Sequence, residues 1–180
     1  YITGAISVDM ASGVVIGADA SNGTDTLRSI EGIQGTFFND TYVATGFSNT
    51  STNAGNNGTF NQFEGLGGND TITGNGNTRL IYTNATGPVT ITFDINGWTS
   101  TSSGASGSVT GDASVGTDTF SGVGSVSGSS FADTITGSNN PNNTPEDFAG
   151  RAGNDVIDGK GGFDRAFYNN DGSASGIQVD

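Results

Sequence analysis

Phe148-Ala-Gly-Arg-Ala-Gly-Asn-Asp155-Val-Ile157-Asp-Gly-Lys-Gly-Gly-Phe-Asp164-Arg-Ala166-Phe-Tyr168 is the stretch whose spacing decides the fold. Phe148, Ile157 and Ala166 stand nine residues apart, and each follows an acidic residue by two: Glu146, Asp155 and Asp164. Glycines fill the space between. Nine residues make two and a half turns of an α-helix at about 3.6 per turn, so successive apolar residues would fall on opposite sides of a helix. A strand-and-turn unit accommodates them. Six glycine-rich positions turn the chain through the positive φ that glycine tolerates, and three extended residues follow with the middle one inward. Two such units make one coil of about eighteen residues. Acidic residues eighteen apart then stack on one edge, roughly 4.8 Å from each other, the spacing of neighbouring strands.

Gly153-Asn-Asp155-Val-Ile157 and Gly68-Asn-Asp70-Thr-Ile72, each preceded by a glycine-rich half, carry a resemblance. The chain resembles the Gly-Gly-x-Gly-x-Asp-x-U-x nonapeptide repeats, U being a large apolar residue, of the RTX (repeats-in-toxin, haemolysin-type) calcium-binding proteins. The resemblance implies an all-β fold, a right-handed parallel β-roll or related β-solenoid with Gly/Asp-rich calcium-binding turns. It also implies type I secretion from a Gram-negative bacterium, an extracellular or cell-surface location, and folding on contact with calcium. Carboxylates stacked so closely repel one another. Ca²⁺ relieves this because it takes six to eight oxygens, which Asp side chains and turn carbonyls can supply.

Internal similarity extends over most of the chain. Residues 23–43 recur at 116–136 with a constant offset of 93, taking Asp25 to Asp118 and Asp40 to Asp133. Phe63 to Ile72 recur at Phe148 to Ile157 with an offset of 85. The reading is one continuous solenoid of two superrepeats, residues 1–87 and 88–180. Ala5 to Asp9 corresponds to Ile91 to Asp94 and to Gly176 to Asp180, so the chain is expected to expose strand edges at both ends, with Ile2 and Ile6 near one and Ile177 and Val179 near the other. Such edges invite end-to-end self-association, or pairing with the rest of a larger repeat protein. Tyr1 to Asp19 reads as two short strands. Thr99 to Ser108 reads as a mobile loop, with Trp98 either a lid over the core or an exposed contact. Residues 44–60 read as a polar insertion bulging from the surface.

With 31 Gly and 32% hydrophobic residues in 180, the chain has few apolar side chains for a globular core and reads as a thin rod. Eighteen acidic residues against five basic ones give −13, which makes nucleic acid and anionic membranes poor partners and metal cations good ones. Cys and His are absent, so any structural metal binds through oxygen. No apolar stretch approaches the eighteen or so residues of a membrane span, and no membrane insertion is expected. Without His, Cys or any lysine but Lys160, and with serines confined to low-complexity turns, the chain is read as no enzyme.

The expected ligands follow from the register. Asp133 and Asp155 hold the acidic position on one edge, and Glu146 and Asp164 on the other, with Gly153 and Gly162 in the same turns. Asp40, Gly68 and Asp70 repeat the first edge in the first copy, whereas the second edge there reads Asn61 and Arg79. An arginine adds charge where a cation would sit, so that site is expected to be lost. Arg79 then either replaces the ion, donating to turn carbonyls, or stands exposed without a role. Asp25 and Asp118, in twin Gly-Thr-Asp-Thr segments, reach the same edge as Asp40 and Asp133 if one coil is slightly shorter. The competing explanation for all these positions is that Asp and Asn favour turns. Asp9, Asp94, Asp180, Asp19, Asp112 and Asp158 are read as solvated. The resulting function is a calcium-rigidified structural module of an adhesin, surface-layer or filament-forming protein. The alternatives are the carboxy-terminal secretion module of an extracellular enzyme and a carbohydrate- or ice-binding solenoid face.

Overall fold

Triplets such as Thr71-Ile72-Thr73, Thr90-Ile91-Thr92 and Thr134-Ile135-Thr136 put β-branched hydroxyls outward and one large apolar side chain inward, which suits a pleated, half-buried strand. In the computed structural model, which describes residues 3–98, 104–140 and 144–168, Ile72, Ile91 and Ile135 are at most 2% exposed. The described residues form fourteen strands: β1 (Ile6–Asp9), β2 (Val14–Gly17), β3 (Thr24–Thr26), β4 (Gly32–Gln34), β5 (Thr41–Val43), β6 (Asn61–Glu64), β7 (Thr71–Ile81), β8 (Thr90–Phe93), β9 (Ala105–Thr110), β10 (Thr117–Ser127), β11 (Thr134–Thr136), β12 (Glu146–Ala149), β13 (Val156–Asp158) and β14 (Asp164–Ala166). The chain is all-β, with no helix among the described residues, and its strands form one mixed, mostly parallel sheet that does not close.

The pairing divides into two ladders. One runs β4, β6, the second half of β7, the second half of β10, β12 and β14, all parallel, and aligns Ile33, Phe63, Leu80, Val126, Phe148 and Ala166. The other runs β1, β5, the first half of β7 and the first half of β10, aligning Val8, Tyr42, Ile72 and Phe120. It then passes through antiparallel β9 to the parallel set β8, β11 and β13. Side chains from the two ladders meet: Tyr42 stacks on Phe63 with centroids 4.8 Å apart, and Phe93 meets Phe148 edge-on at 5.8 Å. Each buried side chain of this size contributes on the order of 2 kcal/mol.

In β7 and β10 the chain passes from one ladder to the other within a single strand, through glycines at positive φ, Gly76 and Gly122. The corner falls where the β7–β10 register shifts, beside Gly122 at φ 66°. A Cβ on Gly74 would stand 2.2 Å from the Gly122 carbonyl oxygen, so two backbones touch at this corner. Among the described residues seven strands lie on each side of the 87/88 boundary, and the seven registered pairs between β7 and β10 join the copies.

Two local expectations change, and the alternatives for Trp98 resolve in favour of the lid over the core. Ala105 to Ser108 belong to β9 rather than a loop, because Ala105 and Val109 are fully buried between β8 and β10; Thr99 to Ser103 lie outside the described residues. The insertion at 44–60 is anchored rather than bulging free. Phe47 is 3% exposed, and buried Asn53 accepts from Ile30 N and donates to its carbonyl oxygen. Trp98 is buried, its indole N–H directed inward to Glu146. The strand ends expected at Ile2 and at Gly176 to Asp180 lie outside the described residues.

Candidate functional site

Asp40, Asp70, Asp133 and Asp155 each stand one residue before a strand, and Asp118 is the second residue of β10, so these acids sit level with their neighbours in adjacent coils. Each of the five carboxylates takes a hydrogen bond from a neighbouring coil's backbone. Ile6 N donates to Asp40 Oδ1 at 2.7 Å, Asp40 N to Asp70 Oδ1 at 2.8 Å, and Asp70 N to Asp118 Oδ1 at 2.9 Å. A second run follows beyond the β8–β9 hairpin: Val89 N donates to Asp133 Oδ1 at 2.8 Å, and Asp133 N to Asp155 Oδ1 at 2.9 Å. The carboxylates fold back over their own turns onto the glycine five residues earlier. A Cβ on Gly65 would stand 1.7 Å from Asp70 Oδ2, and one on Gly150 2.2 Å from Asp155 Oδ2.

The acidic turns are of two kinds. At Asp40 the residue four positions earlier is Thr36, whose N–H donates at 2.6 Å and whose hydroxyl donates at 2.9 Å. At Asp133 it is Ser129, donating with both groups at 2.6 Å. At Asp70, Asp155 and Asp164 the same position is Leu66, Arg151 or Lys160, at φ 67°, 74° and 66°, and two residues later come Gly68, Gly153 and Gly162 at φ 115°, 124° and 126°. Only glycine takes the second of these backbones without strain. The three nonapeptide turns therefore share one conformation, with no hydroxyl to close them. Asp70 Oδ2 and Asp164 Oδ1 are buried without a hydrogen-bond partner.

On the opposite edge Glu146 and Asp164 are paired in register, as their spacing predicts. Glu146 is fully buried and accepts from Ser138 N at 2.9 Å, Ser138 Oγ at 2.7 Å and Trp98 Nε1 at 2.6 Å. In the first copy Asn61 pairs with Thr78, not Arg79. Asp70 to Thr78 is eight residues where Asp155 to Asp164 is nine, so Arg79 moves to the outward position beyond the acidic one. It neither occupies a cation position nor donates to turn carbonyls there: its Nε donates to Ser125 Oγ at 3.2 Å.

Asp118 is on the first edge but stacks on Asp70, not on Asp133. Its other oxygen accepts from Tyr82 OH at 3.1 Å. Asp25 is not on that edge. It lies exposed in β3, paired with Val15 in an outer hairpin, because no earlier coil stands beside it as β7 stands beside Asp118. Glu64 was not singled out by the repeat, since its counterpart is Ala149. It is nevertheless buried, and takes Asn84 N at 2.8 Å, Asn84 Nδ2 at 2.7 Å, Thr83 Oγ1 at 2.9 Å and Gln34 Nε2 at 3.1 Å.

The electrostatics separate the acids further. Burial, reinforced by the charges of Asp118 and Asp40 against the Asp40 hydrogen bond, pushes the Asp70 carboxyl up to about 8. Burial likewise brings Asp118 to about 6, and raises Asp155 and Asp164, with the Asp133 and Glu146 charges adding to each. Such groups gain from a proton or a cation.

The oxygen-only donor set suits a hard cation, and the unpartnered oxygens of Asp70 and Asp164 are donors such an ion could use. Asp40, Asp133 and Glu146 already spend their carboxylates on protein donors. Among the described residues no three acidic side chains converge on one point, so further ligands would be turn carbonyls. Comparison with protein-family models, curated proteins and solved structures gives no match for this chain.

Proposed function

We propose that the chain is a calcium-binding structural repeat module of RTX type. In this reading it is a right-handed parallel β-roll or related β-solenoid in a secreted surface, adhesin or filament-forming protein of a Gram-negative bacterium, with no enzymatic activity of its own. The observation that carries the proposal is the common backbone of the three glycine turns, each ending in a carboxylate that folds back over its turn and, at Asp70 and Asp164, keeps a buried oxygen without a donor. Bound calcium would neutralise the stacked carboxylates and supply the positive charge the edges lack. Asp70, Asp155 and Asp164 offer the carboxylate oxygens, while Gly68, Gly153 and Gly162 hold the turn open to them. Asp40, Asp133 and Glu146 keep the adjacent coil in register. In a chain of net charge −13, cation binding then becomes folding energy. The outer edges of β4 and β13 carry no further strand among the described residues. End-to-end pairing, with another copy or the rest of a longer chain, belongs to the same reading.

Thermal unfolding followed by circular dichroism in chelator, in Mg²⁺ and in Ca²⁺ tests it. Calcium at a hundredfold excess over its dissociation constant should raise the midpoint by about 5–10 °C. A midpoint indifferent to chelator and calcium sinks the proposal.

A further inference from the structure

Arg79 lies outside the acidic edges, and its surroundings point to a different ligand. Gln62, Arg79, Ser125, Asp147 and Arg165 form one row across β6, β7, β10, β12 and β14, alternating with the inward Phe63, Leu80, Val126 and Phe148 and therefore facing outward. Two of the chain's five basic residues thus meet on one face of a strongly acidic protein. Arg165 grips Asp147 with two bonds, Nε to Oδ1 at 2.7 Å and the terminal nitrogen to Oδ2 at 2.8 Å, which cancels the one carboxylate in the row. Arg79 has no carboxylate partner among the described residues. Its Nε is held by Ser125, and its guanidinium lies 5.2 Å from the centroid of the Phe60 ring. Both constraints immobilise a planar donor fork whose terminal N–H groups remain for a ligand. That fork lines a groove of about 190 Å³ with Asn77, Thr144 and Asp147.

We propose that this outer groove binds a small hydroxylated carboxylate of monosaccharide size, a sugar acid. Arg79 would take the carboxylate as a bidentate pair, a geometry a guanidinium matches and an ammonium does not. The volume is below the roughly 300 Å³ at which drug-sized sites begin, which limits the ligand to about one ring. Asn77 and Thr144 supply amide and hydroxyl groups suited to ligand hydroxyls. The Arg165–Asp147 pair acts indirectly, by keeping a bare negative charge out of the groove. The site uses neither acidic edge and stands whether or not those turns take calcium.

Galacturonate, galactose and N-acetylaspartate, each titrated into the intact chain by calorimetry and by amide NMR shifts, provide the test. Galacturonate should bind at least about tenfold tighter than neutral galactose, as expected for a charge-assisted hydrogen-bond pair. Shifts should centre on Arg79, Ser125 and Asn77. Arg79→Gln should abolish the difference, Arg79→Lys should keep only a small part of it, and Arg28→Gln should leave it intact. Arg165→Gln should weaken binding, and Arg165→Gln combined with Asp147→Asn should restore it, a rescue that a merely structural role would not produce. Equal binding of galacturonate and galactose, shifts elsewhere, or unchanged binding in a folded Arg79→Gln protein overturns the proposal. Tighter binding of N-acetylaspartate than galacturonate would instead mark the groove as a receptor for acidic peptides and overturn the sugar-acid assignment.

Discussion

Gly35-Thr36-Phe-Phe-Asn-Asp40 and Gly128-Ser129-Ser-Phe-Ala-Asp133 are turns of the same length as Gly65-Leu66-Gly-Gly68-Asn-Asp70, Gly150-Arg151-Ala-Gly153-Asn-Asp155 and Gly159-Lys160-Gly-Gly162-Phe-Asp164, yet they are chemically opposite. In the first pair a Thr or Ser four residues before the acid closes the corner with one bond from its backbone N–H and one from its hydroxyl, and the carboxylate is consumed within the protein. In the other three that hydroxyl is absent and a glycine at positive φ reshapes the backbone. At Asp70 and Asp164 an oxygen is left over. One residue therefore decides whether a corner of this scaffold is locked by its own hydrogen bonds or kept as a place for a counter-charge. The carboxylates that pay a burial cost in their charged form are in the open turns or stacked on one.

The sharpest way to break this comparison is to delete one acid of each kind. Asp133→Ala leaves Val89 N, Ser129 N and the Ser129 hydroxyl without their acceptor in a buried corner. At about 1–3 kcal/mol per stranded group, with some relaxation, the loss should be about 3–5 kcal/mol in urea unfolding, the same in chelator and in calcium. Asp155→Ala strands chiefly Asp133 N. It should cost about 1 kcal/mol in chelator but remove part of the gain that calcium gives. Equal losses and equal calcium responses for the two variants would show that the turns are of one kind.

The part of this that a reader of the sequence can recover is the part set by period. Inward residues nine apart, parallel partners and the pairing of Glu146 with Asp164 all follow from counting. Two errors show where counting stops. The 70–78 turn is one residue shorter than its counterpart, and a slip of one exchanges Thr78 with Arg79, inside with outside. Asp25 and Asp118 have identical neighbours in sequence, but only Asp118 has a preceding coil to stack on, so context outside the segment decides its burial. The Asp-to-backbone ladder is invisible to spacing because it depends on which way an N–H points. The closing hydroxyls of Thr36 and Ser129, by contrast, were there to be read.

The second test sharpens the open class through pH in metal-free buffer. Asp70, lifted to about 8, and Asp118, lifted to about 6, hold their protons more tightly folded than unfolded. Their contribution is therefore fully favourable below the ordinary carboxylate range near 4, and stability declines as pH rises from about 4 to about 8. Allowing for screening, the decline should be on the order of 2 kcal/mol, read from urea midpoints across that range. Asp70→Asn should flatten most of it and blunt the calcium response. Stability that rises over the same window would contradict the burial of these acids in charged stacks.

A smaller effect, on the order of 1 kcal/mol, comes from converting a closed turn toward an open one. Ser129→Ala removes the hydroxyl bond to Asp133 Oδ1 while leaving the amide bond to Oδ2. The loosened corner should show faster amide exchange at Ser129 and Val89 and a larger calcium response than the parent, moving toward the behaviour of the Asp155 turn. Unchanged exchange and an unchanged calcium response would mean the hydroxyl does not decide the class.

The smallest expected effect is also the strictest check of register. Asp158 is three residues past Asp155, in β13, with its side chain outward and paired at 2.6 Å to Lys160 Nζ, both groups exposed. The Lys160 hydrogen bond holds its carboxyl below the usual range, as befits a solvated acid with a cationic neighbour. Such a pair adds little to stability. Asp158 has one structural duty: its Oδ1 accepts from Lys160 N at 3.0 Å, supporting the residue at φ 66° that opens the Asp164 turn. Asp158→Asn keeps that acceptor and removes only the charge, so unfolding and calcium titrations should match the parent. Asp158→Ala loses the acceptor as well and should disturb the Asp164 turn alone, seen as NMR shifts at Gly162 to Asp164 with Asp70 and Asp155 unmoved. If Asp158→Asn instead reduced the calcium response as much as Asp155→Asn, the inward and outward positions of β13 would be exchanged, and the division of turns built on that register would fall with it.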